Sequence, residues 1–156
     1  MVKKAIILCG GTGSRMFPST LATNKHLMPV YDKPMFFYPL SVLMLSGIKN
    51  FLLIINPGQK KKYVELLNPY ADIGINIEFV EQKKPGGIPE AFILGEKFIG
   101  NDSVALILGD NFFYGSMLTP LIKQSFQTKK GTNIYLYPSK NTSAYGVVEL
   151  NQRGKI

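Results

Sequence analysis

Cysteine is nearly missing from this chain: among 156 residues only Cys9 carries a thiol, so no internal disulfide can staple the fold, and a reducing, cytoplasmic setting fits best. Long apolar runs are missing too. The longest, Met35 to Ile48, is interrupted by Pro39, Ser41, Ser46 and Gly47 and lacks the roughly 18 or more apolar residues of a membrane span. The stretch Ala5 to Cys9 follows Lys3 and Lys4 but runs straight into Gly10-Gly11, short of the roughly 7–15-residue apolar region of a signal peptide. No membrane partner is expected. Acidic residues are the minority, 10 against 18 lysines and arginines, for a formal net charge of +8. That bias favours anionic partners, with nucleic acid, phosphate metabolites and acidic surfaces all open. The basic residues are scattered and no helix-turn-helix, RRM or KH pattern occurs, which weighs against nucleic acid.

What is present is ample apolar surface: 46% hydrophobic residues, with ten Phe and eight Tyr, enough to offset chain entropy and exclude global disorder. The length suits one domain, 1–156. Five short runs, Ala5–Cys9, Phe51–Ile55, Asn76–Val80, Ser103–Leu108 and Asn133–Tyr137, are rich in Ile, Val, Leu and Phe and bounded by turn residues, which predicts strands; residues 145–150 read as a further strand. Between them, Met35–Ser46, Lys60–Leu67, Pro89–Phe98 and Leu118–Phe126 read as helices. Strands that are apolar throughout, alternating with helices, predict an α/β Rossmann-like layered domain with a mostly parallel sheet. Ligands of such sheets bind beyond the carboxyl ends of the strands, so the loops after Leu8, Ile55, Val80 and Leu108 are where chemistry is expected.

The first of these loops is rich in glycine. Gly10-Gly11-Thr12-Gly13-Ser14-Arg15 permits close backbone approach and can turn N–H groups toward an anion. Its spacing fits neither a P-loop nor the dinucleotide fingerprint, because Met16 stands where the third glycine would fall. A plain strand-ending turn would explain the glycines equally well. Arg15, a planar guanidinium, and Lys25, a point charge ten residues on, favour phosphate.

In its longer spelling, Leu8-Cys9-Gly10-Gly11-Thr12-Gly13-Ser14-Arg15-Met16-Phe17-Pro18 followed by Asn24-Lys25-His26-Leu27-Met28-Pro29-Val30, the segment resembles the signature of the sugar-1-phosphate nucleotidylyltransferases. Tyr31-Asp32-Lys33-Pro34-Met35, Leu106-Ile107-Leu108-Gly109-Asp110-Asn111 and Tyr145-Gly146-Val147-Val148-Glu149 resemble the glucose-1-phosphate thymidylyltransferase branch. The resemblance implies a three-layer α/β/α nucleotidyltransferase fold, Mg²⁺ as cofactor, dTTP and glucose 1-phosphate as substrates, dTDP-glucose and pyrophosphate as products, and a homo-oligomer for the full-length family. Members are nearly twice as long. The turn-like ending Asn151 to Ile156 accordingly reads as a cut within a larger domain, whose sugar-binding part would lie beyond it, so nucleotide binding with little turnover is expected.

The resemblance also implies roles. Leu8 and the backbone of Gly10, Gly11, Thr12, Gly13 and Ser14 would hold the nucleotide. Arg15 would contact the departing pyrophosphate and Lys25 the phosphates being joined; apart from the motif they would read as two solvated cations. Asp110, at a strand end, suits a Mg²⁺ site of oxygen ligands and water, or else opens a turn with Asn111. The Gln82 amide offers a donor and an acceptor that suit the edge of thymine or uracil; the resemblance assigns it and Gly87 to the base, and Gly146, with Asn111 nearby, to the sugar. Gly146 reads equally as a tight strand start. Ser14 and Met16 are mild departures from the usual Thr and Leu. His26 stands where Gln is common and, with no triad around it, reads as a loop residue. A uridylyltransferase using UTP and a non-catalytic nucleotide-binding or assembly module remain alternatives.

Overall fold

The computed structural model describes residues 2–84, 86–128, 130–140, 142–143 and 146–152. Its elements follow the alternation of the sequence. β1 (Lys4–Cys9) leads through short 3-10 turns to a small antiparallel pair, β2 (Pro29–Val30) and β3 (Lys33–Pro34), and then to α1 (Phe37–Leu45). β4 (Asn50–Ile55), α2 (Lys60–Leu67) and β5 (Asn76–Glu81) follow; α3 (Glu90–Leu94) and α4 (Glu96–Ile99) precede β6 (Val104–Leu108), and α5 (Leu118–Ser125) comes last. The sheet is parallel throughout, in the order β5-β4-β1-β6.

Side chains alternate across a strand, and here both faces are covered. Ala5, Ile7, Cys9, Phe51, Leu53 and Ile55 point into one core with Phe36, Leu40 and Leu43 from the α1 region, Tyr63 of α2 and Ile122 of α5. Ile6, Leu52 and Ile54 face the other way, onto Ala91, Leu94, Phe98 and Ile99 of α3 and α4. The result is the three-layer α/β/α Rossmann-like arrangement expected. Two strands buried on both faces explain why β1 and β4 read as unbroken apolar runs.

Three elements differ from expectation. The helix anticipated over Pro89–Phe98 is split at Gly95. A β-carbon there would lie 2.9 Å from the Ala91 carbonyl oxygen, 2.9 Å from Ile6 Cδ1 and 3.2 Å from Leu52 Cδ2, so the helix presses against the sheet where only glycine fits. Pro39 does not break α1 because it sits in the first turn, where no intrahelical N–H is required. Asn133–Tyr137 is not a strand. Ile134, Tyr135, Leu136 and Tyr137 stay exposed, tied down through Tyr135, whose hydroxyl pairs with Ser125 Oγ and whose ring meets Phe113 edge-on. Among the described residues no strand runs beside it, so the segment has no ladder to join. Residues 146–150 likewise carry no regular structure; Tyr145 lies outside the described residues.

The chain runs β1 to β4 to β5 toward one edge, then crosses back to place β6 on the far side of β1. The carboxyl ends of β1 and β6 therefore form the topological switch point, the crevice where open α/β sheets take ligands.

Candidate functional site

At that crevice lies a cavity of about 210 Å³. Leu8, Gly10 and Gly11 line it from the end of β1, and Leu108 and Asp110 from the end of β6. The turn Lys25–Leu27 contributes Lys25 and His26, and the loop after β5 contributes Gln82, Gly87 and Ile88. A larger hollow of about 410 Å³ lies at the opposite, amino ends of the strands, bordered by Val2, Lys3, Asn50, Lys123 and Phe126. It has no switch-point geometry, and none of the sequence-expected site residues borders it.

The glycine loop is shaped by its surroundings. Gly11 has a φ of 105° and Gly13 of 62°, both in the region that L side chains avoid. Asn56, the residue after β4, clamps the loop with two bonds: its Oδ1 accepts the Gly11 N–H and its Nδ2 donates to the Gly11 carbonyl, each at 2.9 Å. At Gly10 a β-carbon would lie 2.4 Å from Gln82 Oε1, so a larger residue there would displace that amide. The loop and the Gln82 amide thus sit in direct contact.

Lys25 and Asp110, 85 residues apart, meet across the cavity with Nζ to Oδ2 at 2.5 Å. Burial works to raise the Asp110 carboxyl, but the bond from Lys25 and its charge outweigh burial and hold it below the ordinary carboxylate value. Asp110 is therefore ionised at neutral pH.

His26 is 1% exposed and Asn24 7%. Asn24 Oδ1 accepts the His26 backbone N–H at 2.8 Å and lies 2.8 Å from ring Nδ1. An atom that accepts a backbone N–H is an oxygen, so ring Nδ1 must carry the proton. Asn24 Nδ2 donates to the Cys9 carbonyl at 3.3 Å, linking the turn to the end of β1. Burial, and then the nearby Lys25 charge, push the imidazole from 6.5 down to about 4. The ring is neutral at pH 7. Behind it Gly109 allows close packing: a β-carbon would come within 2.6 Å of Cys9 Sγ and 2.8 Å of His26 Cδ2.

The structure thus gathers Leu8, Gly10, Gly11, Lys25, Gln82, Gly87 and Asp110 around one cavity. Thr12, Gly13, Ser14 and Arg15 continue the loop outward without lining it, and Arg15 is exposed. Asn111 follows Asp110 but does not border the cavity, and exposed Gly146 has open space around it. Sequence reasoning took His26 for a loop residue and passed over Asn24, Asn56, Ile88, Leu108 and Glu90. For Asn56 a signal existed, because it stands at the carboxyl end of β4 where ligand loops were expected.

Among the described residues no helix is long and apolar enough to cross a membrane, and no three His, Cys, Asp or Glu side chains cluster to hold a metal ion. Comparison with known proteins agrees with the geometry. The chain is 48% identical over 149 residues to a glucose-1-phosphate thymidylyltransferase of Neisseria meningitidis, covering 96% of this chain and 52% of that protein. It is 46% identical to one from Mycobacterium tuberculosis, covering 97% and 52%. A crystal structure from Bacillus anthracis, assigned provisionally as a glucose-1-phosphate thymidylyltransferase and solved with sucrose, superposes with a TM-score of 0.74 at 38% identity, over 82% of this chain and 52% of that one. The chain thus spans about half the length of the curated relatives it matches. A sequence profile described as nucleotidyl transferase matches residues 4–156, and the chain belongs to that family.

Proposed function

We propose that residues 1–156 form the nucleotide-binding part of a glucose-1-phosphate thymidylyltransferase, which joins dTTP and glucose 1-phosphate into dTDP-glucose and pyrophosphate. The observation that carries this reading is the switch-point cavity, where the Gly10-Gly11 backbone, the Lys25–Asp110 pair and the Gln82 amide face one space. In the reaction a phosphate oxygen of the sugar phosphate attacks the α-phosphorus of dTTP. The bond from the α-phosphorus to the bridging oxygen breaks, and pyrophosphate leaves with the electron pair. Such a transfer asks the protein mainly to position two polyanions and to stabilise charge.

Lys25 supplies a cation at the junction of the phosphates, and Arg15, exposed at the loop's outer end, meets the departing pyrophosphate from the solvent side. Thr12, Gly13 and Ser14 extend the backbone path along which the triphosphate lies. Leu8 packs under the nucleoside, and Gln82 with Gly87 reads the base. Asn111 and Gly146 are assigned to the sugar. One ionised carboxylate facing the cavity, with no crowd of further acidic groups, fits Mg²⁺, which takes one or two carboxylates and fills its shell with water and phosphate oxygens. Asp110 would hold the ion, and bound there it would neutralise phosphate charge. Lys25 keeps the Asp110 carboxylate ionised and ready for that exchange.

Uracil presents the same N3–H and O4 edge as thymine, so UTP is the second nucleotide this reading admits. The test is calorimetric titration of the chain with dTTP in the presence of Mg²⁺. Saturable binding that weakens about tenfold or more in Lys25→Ala is expected, as for loss of a charge-assisted contact. Absence of binding to dTTP and UTP alike would overturn the proposal.

A further inference from the structure

Glu90 opens α3 beside the cavity without lining it. Its Oε2 accepts two hydrogen bonds, from Gln82 Nε2 at 2.5 Å and from the Gly86 backbone N–H at 2.8 Å. Gln82 is 5% exposed, and its own backbone N–H is held by the Ile55 carbonyl at 2.8 Å. The Gly86 N–H can only donate, so whatever atom of residue 90 faces it must accept. The Gln82 atom that shares this acceptor must therefore be the amide nitrogen. Gln82 Oε1 is left turned toward Gly10, on the side where a β-carbon would stand.

An amide offers a carbonyl and an N–H in a definite order, and turning it over reverses that order. The N3–H and O4 of thymine or uracil fit one order. The N3 acceptor and N4 amino group of cytosine fit the reverse. We infer that Glu90 is the positioning residue that, through Gln82, makes the site select keto pyrimidines over amino pyrimidines. Glu90 touches no part of the nucleotide in this account; it acts by denying the Gln82 amide its turned-over state, and by tying Gly86 it holds the same loop that carries Gly87. The inference rests on the reading of Gln82 as the base contact.

The test is titration calorimetry of the 156-residue chain with dTTP and with dCTP, each with Mg²⁺. A well-made pair of hydrogen bonds to a base edge discriminates by about tenfold or somewhat more, and the wild-type chain is expected to prefer dTTP by about that factor. Glu90→Gln keeps an oxygen under the Gly86 N–H and should hold the preference within about twofold of wild type. Glu90→Ala frees the amide, and the preference should fall to about threefold or less. Glu90→Met, which fills the volume without an acceptor and suits a helix, gives the same reading should the alanine variant lose its cooperative melt. Gln82→Ala should abolish the preference. If the Ala or Met variant keeps the full wild-type preference while Gln82→Ala loses it, the role of Glu90 is refuted and base reading by Gln82 stands. If Gln82→Ala keeps the preference, or the wild-type chain binds neither nucleotide, base reading itself falls and the role of Glu90 with it.

Discussion

Replacing Asn24 by alanine removes one small side chain and three buried bonds. Its Oδ1 accepts from the His26 backbone N–H and lies 2.8 Å from ring Nδ1, and its Nδ2 donates to the Cys9 carbonyl. Losing the cap on the short turn Lys25–Leu27 costs about 1 kcal/mol. Leaving the protonated Nδ1 of a His26 that is 1% exposed without a partner costs about 1–3 kcal/mol more. The long bond to Cys9 adds at most about 0.5 kcal/mol. The sum is about 3 kcal/mol, or roughly 6–12 °C in melting temperature for a chain of this length. Urea unfolding followed by far-UV circular dichroism measures it, with an unchanged slope showing that the folded state alone is affected. Asn24→Asp keeps the acceptor for both His26 groups but buries a carboxylate and turns an oxygen toward the Cys9 carbonyl, so it should recover only part of the loss at pH 7. A cost under about 1 kcal/mol for Asn24→Ala would refute the reasoning, since the turn would then be held by packing and not by this network.

The pH dependence of stability follows from His26. Burial lowers its folded-state value to about 4 from 6.5, so between those two values the unfolded chain binds a proton that the folded chain refuses. Stability is full above pH 6.5 and falls as the pH drops toward 4, by about 3 kcal/mol in all. Denaturant midpoints for wild type and His26→Gln should converge over that window; parallel profiles would show that the ring is not buried neutral. Cys9 is 0% exposed, and burial, only partly offset by the Tyr63 hydroxyl, pushes its thiol up to about 12. An aromatic disulfide reagent at pH 8 should therefore label it at the rate of unfolding, which denaturant accelerates; labelling of the native chain as fast as a free thiol would contradict this.

Much of the site was legible in the residues themselves. The glycine loop announced a close backbone approach, and Gly11 and Gly13 do adopt positive φ. Asp110 and Lys25 stood out as a carboxylate at a strand end and a cation in a stiff turn, and the fold makes them partners. The burial of His26 was not legible, because burial is not a local property: its ring lies beneath Gly109 and beside Asn24 only once β6 is seated against β1. Glu90 was passed over for the same reason, since its meaning comes from the Gln82 amide and Gly86 N–H that converge on it.

Short-range chemistry sufficed to determine the apolar strands, the amphipathic helices and the glycine turn, because each depends on side-chain periodicity and backbone freedom within a few residues. Tertiary structure alone decided which strands pair. The order β5-β4-β1-β6 brings the end of β6 alongside the end of β1 and so closes Lys25 onto Asp110. It also left Asn133–Tyr137 outside the sheet, although its composition suits a strand. Pairing is a bond between distant segments, and a run of residues becomes a strand only where another backbone stands ready to accept its hydrogen bonds.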